Sequence, residues 1–173
     1  MENQANSKGF IVNNGVILGV ASILLSLVMY ATGSHLDPHW SSSVVSAALF
    51  IGIIILGTKK FKEANGGFMS WGQGVKIGVG IAVLAGLIVV IYNYIFMNFI
   101  EPDFMSQVME IQNQKFLDQG MTEEQIDAAN EMGKSFQSPG VMAAMGIIGY
   151  AIGGFIVAAI TSAIMKKTEE ENY

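Results

Sequence analysis

VKIGVGIAVLAGLIVVIYNYIFMNFI, residues 75–100, decides what kind of protein this is. The whole stretch holds one charged side chain, Lys76, at its very start. A helix crosses the hydrocarbon core of a bilayer in about 20 residues, so this segment is long enough to span with room to spare. Lys76 sits where its four-carbon stem can carry the ammonium back to the headgroups.

Three further apolar stretches flank it. The first runs from Phe10 to Thr32 without a charge, and the last from Val141 to Met165. The remaining run, Val44 to Gly57, is short for a span. Asp37 followed by Pro38 lengthens it, because a cap residue with proline at the first helical position is a strong helix start. Trp40 then falls in the interfacial belt that tryptophan favours. Ser138 and Pro139 start the last helix in the same way, and Pro102 follows Glu101 where the third leaves the membrane. The expectation is a single all-α membrane domain over residues 1–173, an integral membrane four-helix bundle with spans at 10–32, 38–58, 75–100 and 140–165. The first helix is longer than the apolar core of a signal peptide and is read as a retained span.

Composition agrees. Apolar residues make up 51% and charged residues 13%, against about 25% charged in soluble domains. There is no cysteine, so disulfide and thiolate chemistry are excluded. The basic residues are all lysine, and arginine is the side chain suited to bidentate recognition of phosphates and bases. With a net charge of -5, no nucleic-acid partner is expected.

Lysine positions orient the chain. Lys8 precedes the first span, Lys59, Lys60 and Lys62 follow the second, and Lys166 and Lys167 follow the fourth. Cytoplasmic flanks collect such residues, which predicts both termini inside and residues 101–138 outside. That outer segment holds eight acids against two lysines, Lys115 and Lys134. Phe104, Val108 and Ile111 repeat at helical spacing, Gly120 reads as a stop, and Thr122 with Gln125 has capping-box spacing. Ile126, Ala129, Met132 and Phe136 continue an apolar stripe. The segment is therefore expected to form an extramembrane amphipathic helical hairpin, inserted between the third and fourth spans. Phe104, Val108, Ile111, Ile126 and Phe136 are its candidate partner-docking residues.

Longer motifs point the same way. The stretch Lys59–Gly74, KKFKEANGGFMSWGQG, resembles the signature of a bacterial membrane family, as do Tyr94–Phe104 with its NFIEPDF core, GMTEEQI at 120–126, and SPG at 138–140. The family is the one catalogued as domain of unknown function 4199, found mainly in Bacteroidota-type bacteria. The resemblance implies a four-helix inner-membrane protein with a helical outer insertion. It implies no activity and transfers no catalytic residue.

Chemistry-bearing residues are sparse. Gly15/Gly19, Gly74/Gly78 and Gly149/Gly153 form G-x-x-x-G pairs, and Gly154, Ala158 and Ser162 a small-residue stripe; both suit close helix packing, within one bundle or between copies. Asn93, beside Tyr92 and Tyr94, reads as part of an interfacial cluster with an interhelical hydrogen bond, or as a buried polar group with a binding role. His35, Asp37 and His39 are the tightest set of metal-ligand types, but Pro38 keeps the histidines off a shared helix face. Glu123, Glu124, Asp127 and Glu131 read as a solvated face. Glycines 66, 67, 72 and 74 read as a turn before the third span. Nucleotide-loop, zinc-protease and serine-hydrolase patterns are missing, so neither an enzyme nor a cofactor is expected. The leading expectation is a non-enzymatic interaction or assembly module in the bacterial inner membrane, with the bilayer and a protein partner or second copy as its contacts. The alternative is a subunit of a small-solute transporter or channel formed by oligomerisation.

Overall fold

A computed structural model describes residues 6–168, and among them the protein is all-α. In chain order the helices are α1 (Ser7–Ala31), α2 (Trp40–Ala64), α3 (Trp71–Ile95), α4 (Phe104–Asp118), α5 (Glu123–Lys134) and α6 (Pro139–Met165). A π-helical turn, Phe96–Ile100, continues α3 before Pro102 ends it. Four helices, α1, α2, α3 with its π turn, and α6, are long and apolar enough to cross a membrane.

Local chemistry explains most boundaries. Ser70 and Gln73 form a reciprocal capping box at α3, Ser70 N donating to Gln73 Oε1 at 2.8 Å and Gln73 N to Ser70 Oγ at 3.2 Å. Helix α3 therefore starts before residue 75, and Gly72 and Gly74 lie inside it rather than in the preceding turn. That turn uses Gly66 and Gly67 alone, at φ 67° and 84°, backbone that costs a side chain dear and glycine nothing. Asn65 closes it, donating from Nδ2 to Phe68 O at 2.9 Å. Helix α2 begins at Trp40, after the expected Pro38. His39 is its cap, accepting from Ser41 N at 3.4 Å, which leaves Asp37 free for another partner. The helix also runs on past Thr58 to Ala64, carrying Lys59, Lys60 and Lys62 on its last turns.

Helix α3 is the axis of the bundle. Its partner α1 runs parallel to it: Ile11 packs on Gly80, Leu84 on Gly15 and Ile88 on Gly19. Helix α6 runs antiparallel on another side, with Ser162 against Gly74, Ala158 against Gly78, Ala82 against Gly154 and Tyr150 against Gly86. Two of the three glycine pairs thus serve packing inside this chain. Hydrocarbon offers no hydrophobic drive for helices to associate, so close backbone approach through small residues supplies the dispersion contact instead. Helix α2 lies across α1, α3 and α6, placing Phe61 edge-on to Phe10 and Ile54 next to Gly78.

The buried residues are not spread evenly along the spans. In α1 they are Asn14, Gly15, Leu18 and Gly19, in α2 Ile54, Gly57, Thr58 and Phe61, and in α6 Gly154, Ala158, Thr161 and Ser162. All lie in the half of the bundle that carries Lys59–Lys62, here the lysine end. That end is also clasped. Met69 and Lys167 exchange backbone hydrogen bonds of 2.8 and 3.0 Å, the Lys167 ammonium sits 5.1 Å over the Phe68 ring, and the Trp71 indole donates to Ala159 O at 3.1 Å.

Candidate functional site

The opposite half, the acidic end, is built differently. The first turns of α2 bury nothing, so α2 stands away from its neighbours there. The gap is a cavity of 730 Å³ reaching from the acidic end to the middle of the bundle. Ser22, Ser26 and Met29 of α1, Ser46 and Phe50 of α2, Asn93 of α3, and Tyr150 and Gly153 of α6 are among the residues that line it. The third glycine pair finds its use here. Gly149 has no atom within 4 Å of where a Cβ would stand, and a Cβ on Gly153 would meet the Phe50 ring at 3.5 Å. Both line the cavity, Gly149 at open space and Gly153 at ordinary van der Waals reach of Phe50.

A polar and aromatic roof covers the acidic end of the cavity. His35, on the link between α1 and α2, approaches Glu101 with its Nε2 2.7 Å from Oε2. Both side chains are withdrawn from solvent, at 13% and 15% exposure. A carboxylate only accepts, so the imidazole donates through Nε2–H. Gln107 Nε2 donates to the other oxygen of Glu101 at 3.2 Å. The rings interlock: His35 stacks on Phe104 at 6.0 Å and 20°, while Tyr30 and Phe104 each meet Phe96 edge-on. Buried His35 Nδ1 has no hydrogen-bond partner among the described residues. Farther out, Lys115 of α4 donates to Asp37 at 2.6 Å. The roof therefore ties the α1–α2 link, the end of α3 and helix α4 into one assembly.

A family model described as "Protein of unknown function (DUF4199)" matches residues 13–167, most of the chain. The chain belongs to the DUF4199 family. No curated protein and no solved structure matches it.

Within this DUF4199 chain the five expected docking residues have different surroundings. Phe104 is drawn into the roof and lines the cavity. Ile126 is buried at 5% exposure, and Val108 and Ile111 are half-buried. Phe136 stands out at 57% exposure, and Met132, one turn before it, at 75%. The turn between α4 and α5 follows the expected chemistry, with Gly120 at φ 85° and a reciprocal capping box between Thr122 and Gln125. Near the end of α5, a hydrogen bond and the charge of Lys134 hold the Glu131 carboxyl below its ordinary pKa, and Glu131 raises Lys134 in return. Both are fully exposed, as befits a solvated face.

His35, Asp37 and His39 do not converge. The first turns to Glu101, the second to Lys115 and the third to the start of α2. Tyr92 makes the interhelical contact expected of its cluster, its hydroxyl 3.3 Å from Ser26 Oγ, whereas Asn93 is exposed and lines the cavity. The cavity itself had no sequence signature. The one legible hint was that His35 and Glu101 each follow a span that ends at the same bundle end, which sets two polar groups at one depth.

Proposed function

We propose that this protein is a non-enzymatic interaction module of the bacterial inner membrane. Both termini lie in the cytoplasm, and α4 and α5 form a hairpin outside the membrane that docks a protein partner or a second copy. The observation that carries this reading is the contrast within the hairpin. The roof anchors α4 through Glu101, Phe104 and Lys115, while Met132 of α5 and Phe136, in the turn just after that helix, stand outward at 75% and 57% exposure. A fixed base with exposed large side chains suits recognition, because little ordering entropy remains to be lost on binding. A solute path through one chain draws less support. The lysine half is filled by Leu18, Ile54, Ile77, Ile81 and Ala158, and Lys76 is the one charge inside the apolar part of the spans.

Orientation is tested by single cysteines, which report without background in a chain that has none. With Ser7→Cys, Ser34→Cys, Ala64→Cys, Gln119→Cys and Thr168→Cys, an impermeant reagent should label only Ser34→Cys and Gln119→Cys in intact cells. Labelling of Ala64→Cys with protection of Gln119→Cys would invert the protein.

Docking is tested by a photoreactive phenylalanine in place of Phe136. Irradiated cells should yield a discrete protein adduct, which Met132→Ser should weaken. An adduct of twice the 18.6 kDa chain would identify a second copy. Adducts to lipid alone would reject the docking reading and make α5 a surface anchor.

A further inference from the structure

We propose that the cavity at the acidic end binds an uncharged, single-chain amphiphile with a hydroxyl-bearing head, of the monoacylglycerol type. The inference rests on the four helices spanning a membrane and is independent of hairpin docking. A failed cross-link at Phe136 leaves it standing.

The size of the cavity is the first argument. At 730 Å³ it falls within the roughly 300–1,000 Å³ of small-molecule sites, enough for one chain with a compact head. Access is the second. Ile51 of α2 and Ile156 of α6 line the cavity and are also exposed on the flank of the bundle. The rings of His35, Phe96 and Phe104 crowd the axial route. A ligand therefore enters sideways from hydrocarbon, which selects an amphiphile over a water-borne solute.

The polar groups then choose the head. Ser22 already donates to Leu18 O at 2.9 Å and Ser46 to Ser42 O at 2.8 Å, while Ser26 pairs with Tyr92. Those hydroxyls have committed their protons inside the protein, so the mid-depth wall offers a ligand little beyond acceptor lone pairs. Asn93 differs. Among the described residues its carboxamide has no side-chain partner, although it lines the cavity. The residue is exposed, so its amide stays open to a ligand, and it offers both donors and an acceptor. Hydroxyls and an ester satisfy it completely. A charged head would find no free counter-charge, since the titratable lining residues are Tyr150 and His35, whose Nε2 pairs with Glu101 and whose Nδ1 is left for a neutral group. Asn93 lies near the third span's acidic end, so the head sits high and the chain descends past Phe50 towards Val157.

The test uses the full chain in vesicles of phosphatidylethanolamine and phosphatidylglycerol, with a monoacylglycerol carrying a diazirine in its chain. Photolabelled peptides should map to residues 46–51 and 149–157, and excess monooleoylglycerol should displace the probe where methyl oleate does not. Gly149→Leu puts a side chain into open space, with no atom within 4 Å of its Cβ, and should cut cavity labelling by about tenfold or more. Labelling at lipid-facing Ile164 should be unchanged. Asn93→Leu should leave labelling in place but erase the preference for monooleoylglycerol over methyl oleate. Three results would overturn the assignment: equal labelling of the cavity and Ile164, labelling unaffected by Gly149→Leu, or a diazirine phospholipid that labels the cavity as strongly. The Asn93→Leu arm judges the head chemistry even where Gly149→Leu fails to fold.

Discussion

Gly78→Leu is expected to abolish the monodisperse protein, whereas Gly52→Leu, on α2, should behave like the wild type. Both replace a glycine in an apolar helix, and both gain helix propensity, roughly 1 kcal/mol for removing a helix-interior glycine. They part at the next atom. A Cβ at Gly78 collides with the Ala158 Cβ and lies 3.1 Å from Ile54 Cγ2 and 3.4 Å from the Ala158 Cα. Backbone on the facing helix cannot move aside as a side-chain tip can. Overpacking costs about 1–3 kcal/mol for small insertions, so Gly78→Ala already loses the contest and leucine must separate α3 from α6. At Gly52 no atom lies within 4 Å. Size-exclusion profiles and thermal unfolding in detergent check the pair. A monodisperse Gly78→Leu protein with unchanged unfolding temperature would mean that α3 and α6 do not meet through these small residues.

Breaking the His35–Glu101 contact is expected to have the second-largest effect, and a local one. Glu101→Leu leaves an imidazole among Tyr30, Phe96 and Phe104 without its carboxylate, and strands Gln107 as well. Hydrogen bonds to a charged group contribute about 1.5–3 kcal/mol, and here solvent screening is limited by exposures of 13% and 15%. Helix α4 should loosen first, seen as faster amide exchange over residues 104–118, while the lysine half keeps its protection. The double variant His35→Phe/Glu101→Leu should recover much of the loss, because replacing both partners with apolar groups removes the stranded one. A coupling energy near zero in that cycle would make the contact incidental to the roof.

The two experiments probe halves that differ in how far their sequence could be read. In the lysine half, the glycine spacing in α3 and the small stripe on α6 were visible as a reason for close approach, and the facing residues confirm that use for Gly74 and Gly78. The same spacing at Gly149 and Gly153 reads identically in the chain but lines a cavity. Spacing records which face a residue occupies and not whether a neighbouring helix is present there. The start of α2 shows a related limit. Asp37 and Pro38 carried a sound helix-start signal, yet Lys115, 78 residues away, takes the Asp37 carboxylate and His39 caps the helix instead.

By itself the sequence determined the four apolar spans, the two polar helices between α3 and α6, the capping boxes at Ser70 and Thr122, and the glycine turns at Gly66, Gly67 and Gly120. Those features follow from hydropathy summed along a segment and from bonds made within about four residues, both of which are written consecutively. Tertiary structure alone decided that the core fills one half of the bundle, that a cavity opens in the other, and that His35 meets Glu101 and Ser26 meets Tyr92, each 66 residues apart in the chain. Such features depend on how α1 and α2 pack against α3 and α6, which is the sum of many weak packing terms between helices, and no single stretch of sequence carries that sum.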